Sequence, residues 1–139
     1  MIDFGTAITF DCVNVNKEYL GGTILPGIGI SLDALSYRTA KLPRVDIEKA
    51  PQHVIGRNSV EAIRSGILVG FGGMVDRMVD RLTGELETEG QQVSIIATGG
   101  MAHLIAPYSE YLHIIDPQLT LKGLKIIFDL QAKGKTASL

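Results

Sequence analysis

Apolar and β-favouring residues crowd the first part of the chain, then give way to helical spacing. Residues 7–16 and 18–25 carry Ile8, Thr9, Phe10, Val13 and Val15, then Tyr19, Leu20, Thr23 and Ile24. Joined by a polar turn near Asn16-Lys17, they predict two consecutive strands. Pro26-Gly27 ends the second. Ile28, Leu32, Leu35 and Thr39 then recur at steps of four, three and four, which predicts a helix over 28–42. Residues 43–56, with Pro43 and Pro51 as breakers, read as a loop. Val60, Ile63, Ile67, Phe71, Met74, Met78 and Leu82 form an apolar stripe that predicts a long helix over 59–82. Asn58 and Glu61 give it a capping-box-like start, with Ser59 as its first residue. Ala62, Gly66 and Gly70 form a second stripe of small residues, which would let a backbone approach closely, from the chain's own sheet or from another subunit.

Residues 83–92 are polar and read as a surface loop. A short buried strand is predicted over 93–97, then Thr98-Gly99-Gly100, a short helix over 101–105 and a strand over 111–115. The last helix is predicted over 119–131, with Leu121, Leu124 and Phe128 on one face and Asp116 or Thr120 as its cap. Residues 133–139 read as a frayed tail. Adjacent strands followed by strand–helix alternation predict a mixed α/β sheet with helices on its faces. The start is unusual: Ile2 precedes Asp3-Phe4-Gly5-Thr6 with no room for a full strand.

Composition narrows the class. The chain has 139 residues, enough for one domain, with 45% hydrophobic and 20% charged residues. A net charge of −2 gives no electrostatic case for nucleic acid or an anionic membrane. No apolar run reaches the roughly 20 residues of a membrane helix, and the opening lacks the pattern of a secretory leader. A cytoplasmic protein is expected. Cys12, the single cysteine, excludes an internal disulfide and reads as a buried, inert thiol in a strand. His53, His103 and His113 show no metal-ligand spacing.

Four segments could carry chemistry. Asp3-Phe4-Gly5-Thr6 places a carboxylate at a strand end before a tight turn. Gly5 would let a phosphate approach, the Thr6 hydroxyl could donate to it, and Asp3 could hold a cation. In Thr98-Gly99-Gly100-Met101-Ala102 a strand ends in two glycines before a helix, the position where open α/β sheets bind ligands. Gly56-Arg57-Asn58-Ser59 leads into a helix N-terminus that favours anions. Gly21-Gly22-Thr23-Ile24-Leu25-Pro26-Gly27 brings backbone near either a ligand or only its own sheet. Taken singly, each also fits an ordinary turn or cap.

Their order along the chain resembles the second half of type III pantothenate kinase, from Asp3 to about Lys133, including Ser65-Gly66 and Leu119-Thr120-Leu121-Lys122-Gly123-Leu124. The resemblance implies an actin-like ATPase (ribonuclease H-like) α/β domain over 1–133, its first strand largely truncated, with a flexible tail over 134–139. That fold belongs to the acetate kinase, sugar kinase, heat-shock protein and actin superfamily. The resemblance further implies phosphorylation of pantothenate by Mg-dependent ATP, the first step of coenzyme A synthesis. Asp3 would help hold a monovalent cation, potassium or ammonium. Gly5 and Thr6 would contact ATP phosphate, Gly99 and Gly100 the adenosine side, and Ser59 pantothenate, although the family usually has Thr there. Family members are typically homodimers, some completing the substrate pocket with the partner's copy of this segment.

The family's N-terminal domain carries another phosphate loop and the Asp-Arg segment with the general base, and neither occurs here. Asp76-Arg77 and Asp80-Arg81 read as helix-surface charges. The chain is therefore expected to have no catalytic residue of its own and to be a fragment or one partner of a split enzyme, inactive alone, with an exposed central sheet edge. Competing readings are a non-catalytic regulatory or transcription-accessory module on the same scaffold, and another small-molecule kinase of the superfamily.

Overall fold

A computed structural model describes residues 1–39, 41–86 and 92–136, the last four by backbone alone. Strands β1 (Ile2–Phe4), β2 (Ala7–Val13) and β3 (Tyr19–Pro26) are antiparallel neighbours. β4 (Ala97–Thr98) pairs parallel with the other edge of β1, so the sheet is mixed, with order β3-β2-β1-β4. The β2–β3 turn falls where expected: Lys17 has φ 67°, and the Asn14 side chain accepts the Glu18 N–H at 2.9 Å.

The short first strand is interior rather than an edge. Ile2 pairs with both Phe10 and Ala97, and Asp3 with both Thr9 and Thr98. Alternation sends Ile2, Phe4, Ile8 and Phe10, all at most 2% exposed, into one core. The opposite face carries Asp3, Thr9 and Asp11 and the 78%-exposed Ile24. That face is open at β3, so the helices expected over both faces cover one there.

Four helices accompany the sheet: α1 (Ile28–Arg38), α2 (Ser59–Leu86), α3 (Ala102–Ile105), continued by a 3-10 turn at Ala106–Tyr108, and α4 (Leu119–Thr136). α1 stops four residues short of its predicted end. Thr39 turns extended there, and its hydroxyl donates to the Leu35 carbonyl at 2.6 Å. α2 runs one turn past its predicted end, because Leu86 repeats the spacing of Leu82 and both line the same apolar groove. Residues 87–91 of the predicted loop lie outside the described residues.

The buried stripe of α2 is also rotated from the predicted one. Ile63, Ile67, Leu68, Gly72, Val75 and Val79 are buried, while Phe71, Met74, Met78 and Leu82 are partly so and Val60 is exposed. Gly72 makes the difference: a Cβ there would lie 2.0 Å from the Tyr108 carbonyl oxygen, so the 3-10 turn sits directly on the helix. Gly66 and Gly70 have nothing within 4 Å of a built Cβ; the small-residue stripe does not pack on the chain's own sheet.

Two predicted strands shrink. The Ile96 carbonyl accepts the Ile2 N–H at 2.8 Å, but β1 is too short for residues 93–95 to pair with it. Residues 111–115 reduce to one parallel bridge, Ala97 to Ile115. α4 is capped by Asp116, which accepts the Gln118 N–H at 3.0 Å. Its predicted apolar face stays uncovered: Leu121, Leu124 and Phe128 are 58–70% exposed. The helix continues through 133–136, where a tail was expected.

The predicted cap of α2 is present. Asn58 Oδ1 accepts the Glu61 N–H at 3.0 Å, and Glu61 Oε2 accepts the Arg57 N–H at 2.8 Å. The bond from Arg57, then that involving Asn58, holds the Glu61 carboxyl below its ordinary range. A depressed folded-state pKa stabilises above the ordinary value and is lost as pH falls through the folded value. Glu61→Gln should therefore lose less stability than the native chain below about pH 4.3, the ordinary glutamate value. Parallel curves of melting temperature against pH would contradict this.

Candidate functional site

The β1–β2 turn and the β4–α3 turn meet at one end of the sheet. Gly5 N–H donates to the Ala7 carbonyl at 3.1 Å, closing the first turn. Gly99 closes the second in a left-handed conformation, φ 93°, and a Cβ there would lie 2.6 Å from Asp3 Oδ1 and from Phe4 N and C. The Met101 N–H reaches the Phe4 carbonyl at 3.4 Å. A built Cβ on Gly5 would lie 3.5 Å from the same Asp3 oxygen. One half-buried carboxylate is thus flanked by two glycines from different turns.

A third turn joins them. The Gly27 N–H donates to the Thr6 carbonyl at 3.1 Å, and a Cβ on Gly27 would lie 2.1 Å from that oxygen. The start of α1 therefore presses on the phosphate-loop candidate, and only glycine leaves room. Thr6 and Gly100 are exposed on the rim, and nothing lies within 4 Å of a built Cβ on Gly100. Among the described residues, no backbone partner takes the Thr6 or Gly100 N–H and no side chain bonds Asp3.

The structure thus brings Asp3, Gly5, Thr6, Gly99 and Gly100 together and leaves Ser59 apart. Ser59 begins α2 and lines a shallow cavity with Leu35 and Leu42. Leu35 lies eight residues along α1 from Gly27, about 12 Å at helical rise.

Two features escaped the sequence reading. A polar cavity of about 390 Å³ beside the start of α2 is lined by Lys49, His53, Arg57, Glu61 and Arg64. Arg57 and Arg64 stand seven residues apart, one before α2 and one in it, a spacing that could have flagged it. Arg64 is already engaged, donating to the Asp46 carbonyl at 3.0 and 3.1 Å. The other is an apolar groove beyond Met1, lined partly by Cys12, which is half-buried rather than fully buried as expected.

Asp76 and Asp80 have structural work. Asp76 accepts the Ser109 hydroxyl at 2.5 Å and the Glu110 N–H at 3.0 Å, and Asp80 accepts the Tyr111 hydroxyl at 2.6 Å. They tie the segment after α3 onto α2. Tyr111 is correspondingly harder to ionise, first because of that bond to Asp80.

A family model described as type III pantothenate kinase matches residues 1–81. A type III pantothenate kinase of Desulfotalea psychrophila is 53% identical over 127 residues, covering 91% of this chain and 48% of that protein. One from Finegoldia magna is 51% identical, covering 94% of this chain and 49% of that protein. This chain belongs to the type III pantothenate kinase family. It spans about half the length of the curated relatives it matches. A solved Baf family protein from Campylobacter jejuni shares the fold, with a TM-score of 0.59 at 24% identity over 95% of this chain and 57% of that one.

Within this pantothenate kinase family chain, the two adjacent glycines should respond oppositely to one added methyl group. Gly99→Ala should cost about 2–4 kcal/mol, from overpacking against β1 and a left-handed backbone. Gly100→Ala should leave stability within about 0.5–1 kcal/mol of the native value. Denaturant unfolding of both variants checks the contrast; equal losses would contradict it.

Proposed function

We propose that this chain is the nucleotide-, cation- and substrate-contacting half of an enzyme that transfers phosphate from ATP to pantothenate. The observation that carries the reading is the convergence of Asp3, Gly5, Thr6 and Gly99 from separate turns at one sheet end.

In this reading the Thr6 hydroxyl and N–H, with Gly5 beside them, face the phosphates, and Gly99 and Gly100 border the adenosine. Asp3 suits a cation: it is half-buried, cradled by glycines and bonded to no side chain among the described residues. A monovalent ion, potassium or ammonium, would offset phosphate charge when bound there. No group of three or more acidic, His or Cys ligands occurs among the described residues. Magnesium, which keeps waters and binds through phosphates, needs no such cage. Ser59 serves pantothenate at a second point, in a homodimer whose partner copy helps complete the pocket. The Ser59 cavity, shared with Leu35 and Leu42, includes none of the cradle residues, which favours an extended substrate or such sharing.

Phosphoryl transfer needs a positioned nucleophile and phosphates clamped from both sides. Asp76 and Asp80 are committed to holding the segment after α3. As the family resemblance implies, the base that activates the pantothenate hydroxyl is supplied by an N-terminal domain. The 139-residue chain alone should fall short of the assembled enzyme by at least the roughly 10²–10⁴-fold worth of a positioned base. Adding the N-terminal half of a relative should restore phosphopantothenate formation. In that assembly Thr6→Ala should raise the KM for ATP or lower kcat by about 10–100-fold, the worth of one hydrogen bond to a charged group. Full turnover by the chain alone, or an unaffected Thr6→Ala enzyme, would overturn the assignment.

The Baf family neighbour, whose name carries a transcriptional-activator label, keeps a second reading open: a regulatory module on the same scaffold. Another acceptor for the phosphate is the third. A substrate panel on the assembled enzyme separates kinase acceptors, and a folded assembly that binds no ATP favours the regulatory role.

A further inference from the structure

The loop between α1 and α2 is fastened to α2 at successive points. The Arg64 guanidinium donates through Nε and Nη2 to the Asp46 carbonyl at 3.1 and 3.0 Å. The buried Ser65 hydroxyl donates to the Val54 carbonyl at 2.6 Å. Gly56 lies so close to α2 that a built Cβ would stand 2.3 Å from the Ala62 nitrogen. Residues 49–53 and the start of the helix thereby bound a cavity of about 390 Å³, whose polar lining is Lys49, Gln52, His53, Arg57, Glu61 and Arg64.

Charge is distributed unevenly here. The chain carries a net charge of −2, yet Lys49, Arg57 and Arg64 line this cavity with Glu61 as the one carboxylate among its lining residues. Glu61 is already occupied, because its Oε2 accepts the Arg57 backbone N–H. No ion pair among the described residues includes Lys49, Arg57 or Arg64. Three cations against one carboxylate leave two positive charges unmatched. Like charges converging on a concave site concentrate its field and favour an anion there. The cavity is also separate from the one that Ser59 lines. Glu61 and Arg64 occupy one side of α2, and Ser59, Ala62 and Gly66 the other; the two cavities share no lining residue.

We infer that this cavity is a phosphate site, taking a small phosphate monoester or free phosphate apart from the ATP and pantothenate contacts. A phosphate monoester carries about −1.5 to −2 charge near neutral pH, which balances the unmatched pair; a monocarboxylate leaves one positive charge over. Arg57 offers a planar fork to two phosphate oxygens, and Lys49 supplies a point charge from the loop side. Arg64, with Nε and Nη2 on the Asp46 carbonyl, keeps its other terminal nitrogen for the cavity. His53 adds a ring N–H donor. The volume lies within the range of small-molecule sites, with room for an organic remainder beside the phosphate. Because the loop is pinned at Asp46, Val54 and Gly56, the walls stand in place before any ligand arrives.

The test titrates the 139-residue chain at low ionic strength with glycerol 3-phosphate, inorganic phosphate or acetate, following the backbone amide signals of His53, Arg57 and Glu61 by NMR. Glycerol 3-phosphate should shift them saturably, and acetate at the same concentration should not. Inorganic phosphate binding as tightly as the ester assigns the site to free phosphate; weaker binding assigns it to a phosphate ester. Arg57→Gln keeps the backbone N–H that Glu61 accepts and should weaken binding about tenfold or more, the worth of a hydrogen bond between charged groups. Lys49→Gln, in the exposed loop, should weaken it about threefold. Glu61→Gln should tighten it about threefold, because it removes the one opposing charge and keeps an acceptor for the Arg57 N–H. A purely structural role for these residues gives no such reversal of sign. Thr6→Ala, at the proposed ATP phosphate contact, should leave the titration unchanged. No saturable shift at millimolar ester, equal binding of acetate, or an Arg57→Gln chain that binds like the native one overturns the proposal. Binding lost in Thr6→Ala moves the anion to the turn cradle and also overturns it.

Discussion

β1 is bonded along both edges, to β2 on one side and β4 on the other, although it has three residues. Its two faces have separate duties. Ile2 and Phe4 enter the core, each at most 2% exposed, while Asp3 emerges at the sheet end where the turns meet. Because a strand allows only alternation, the carboxylate cannot move without disturbing two of the most buried side chains. Gly99 fixes its other side, since Phe4 backbone and Asp3 Oδ1 fill the space a Cβ would need. The core and the candidate site are therefore one mechanical unit.

This explains why the two ends of β1 differ so much. Toward Phe4, three turns meet through Gly5, Gly27 and Gly99; a side chain at Gly27 or Gly99 would collide, while one at Gly5 would sit at ordinary contact distance from Asp3. Toward Met1, the neighbouring backbones diverge into an open groove. Binding determinants held within fractions of an ångström on one end suit phosphate positioning.

Local chemistry was legible in the sequence wherever it acted within a few residues. The turn at Lys17, the Asn58–Glu61 cap and the Asp116 cap all follow from neighbours four or fewer positions apart. So did the clustering of glycines at strand ends, whose order carried the family. What was hidden depends on partners distant in sequence. The rotation of α2 is set by Tyr108 lying on Gly72, 36 positions away. The shrinking of the strand at 93–97 follows from the length of β1, a residue count that no window around that segment contains.

α4 carries a different kind of consequence. None of its residues from 119 to 132 is buried, so it is held by a cap, by the Lys125–Asp129 pair at 2.6 Å and by its own backbone. Melting it uncovers almost no apolar surface, and uncovered surface is what heat capacity and denaturant slope register. Eighteen residues of helix thus weigh heavily in a circular dichroism signal and scarcely at all in the m value. Unfolding followed by ellipticity would look broad and gradual while the core around Ile2 and Phe4 still gives way in a single step.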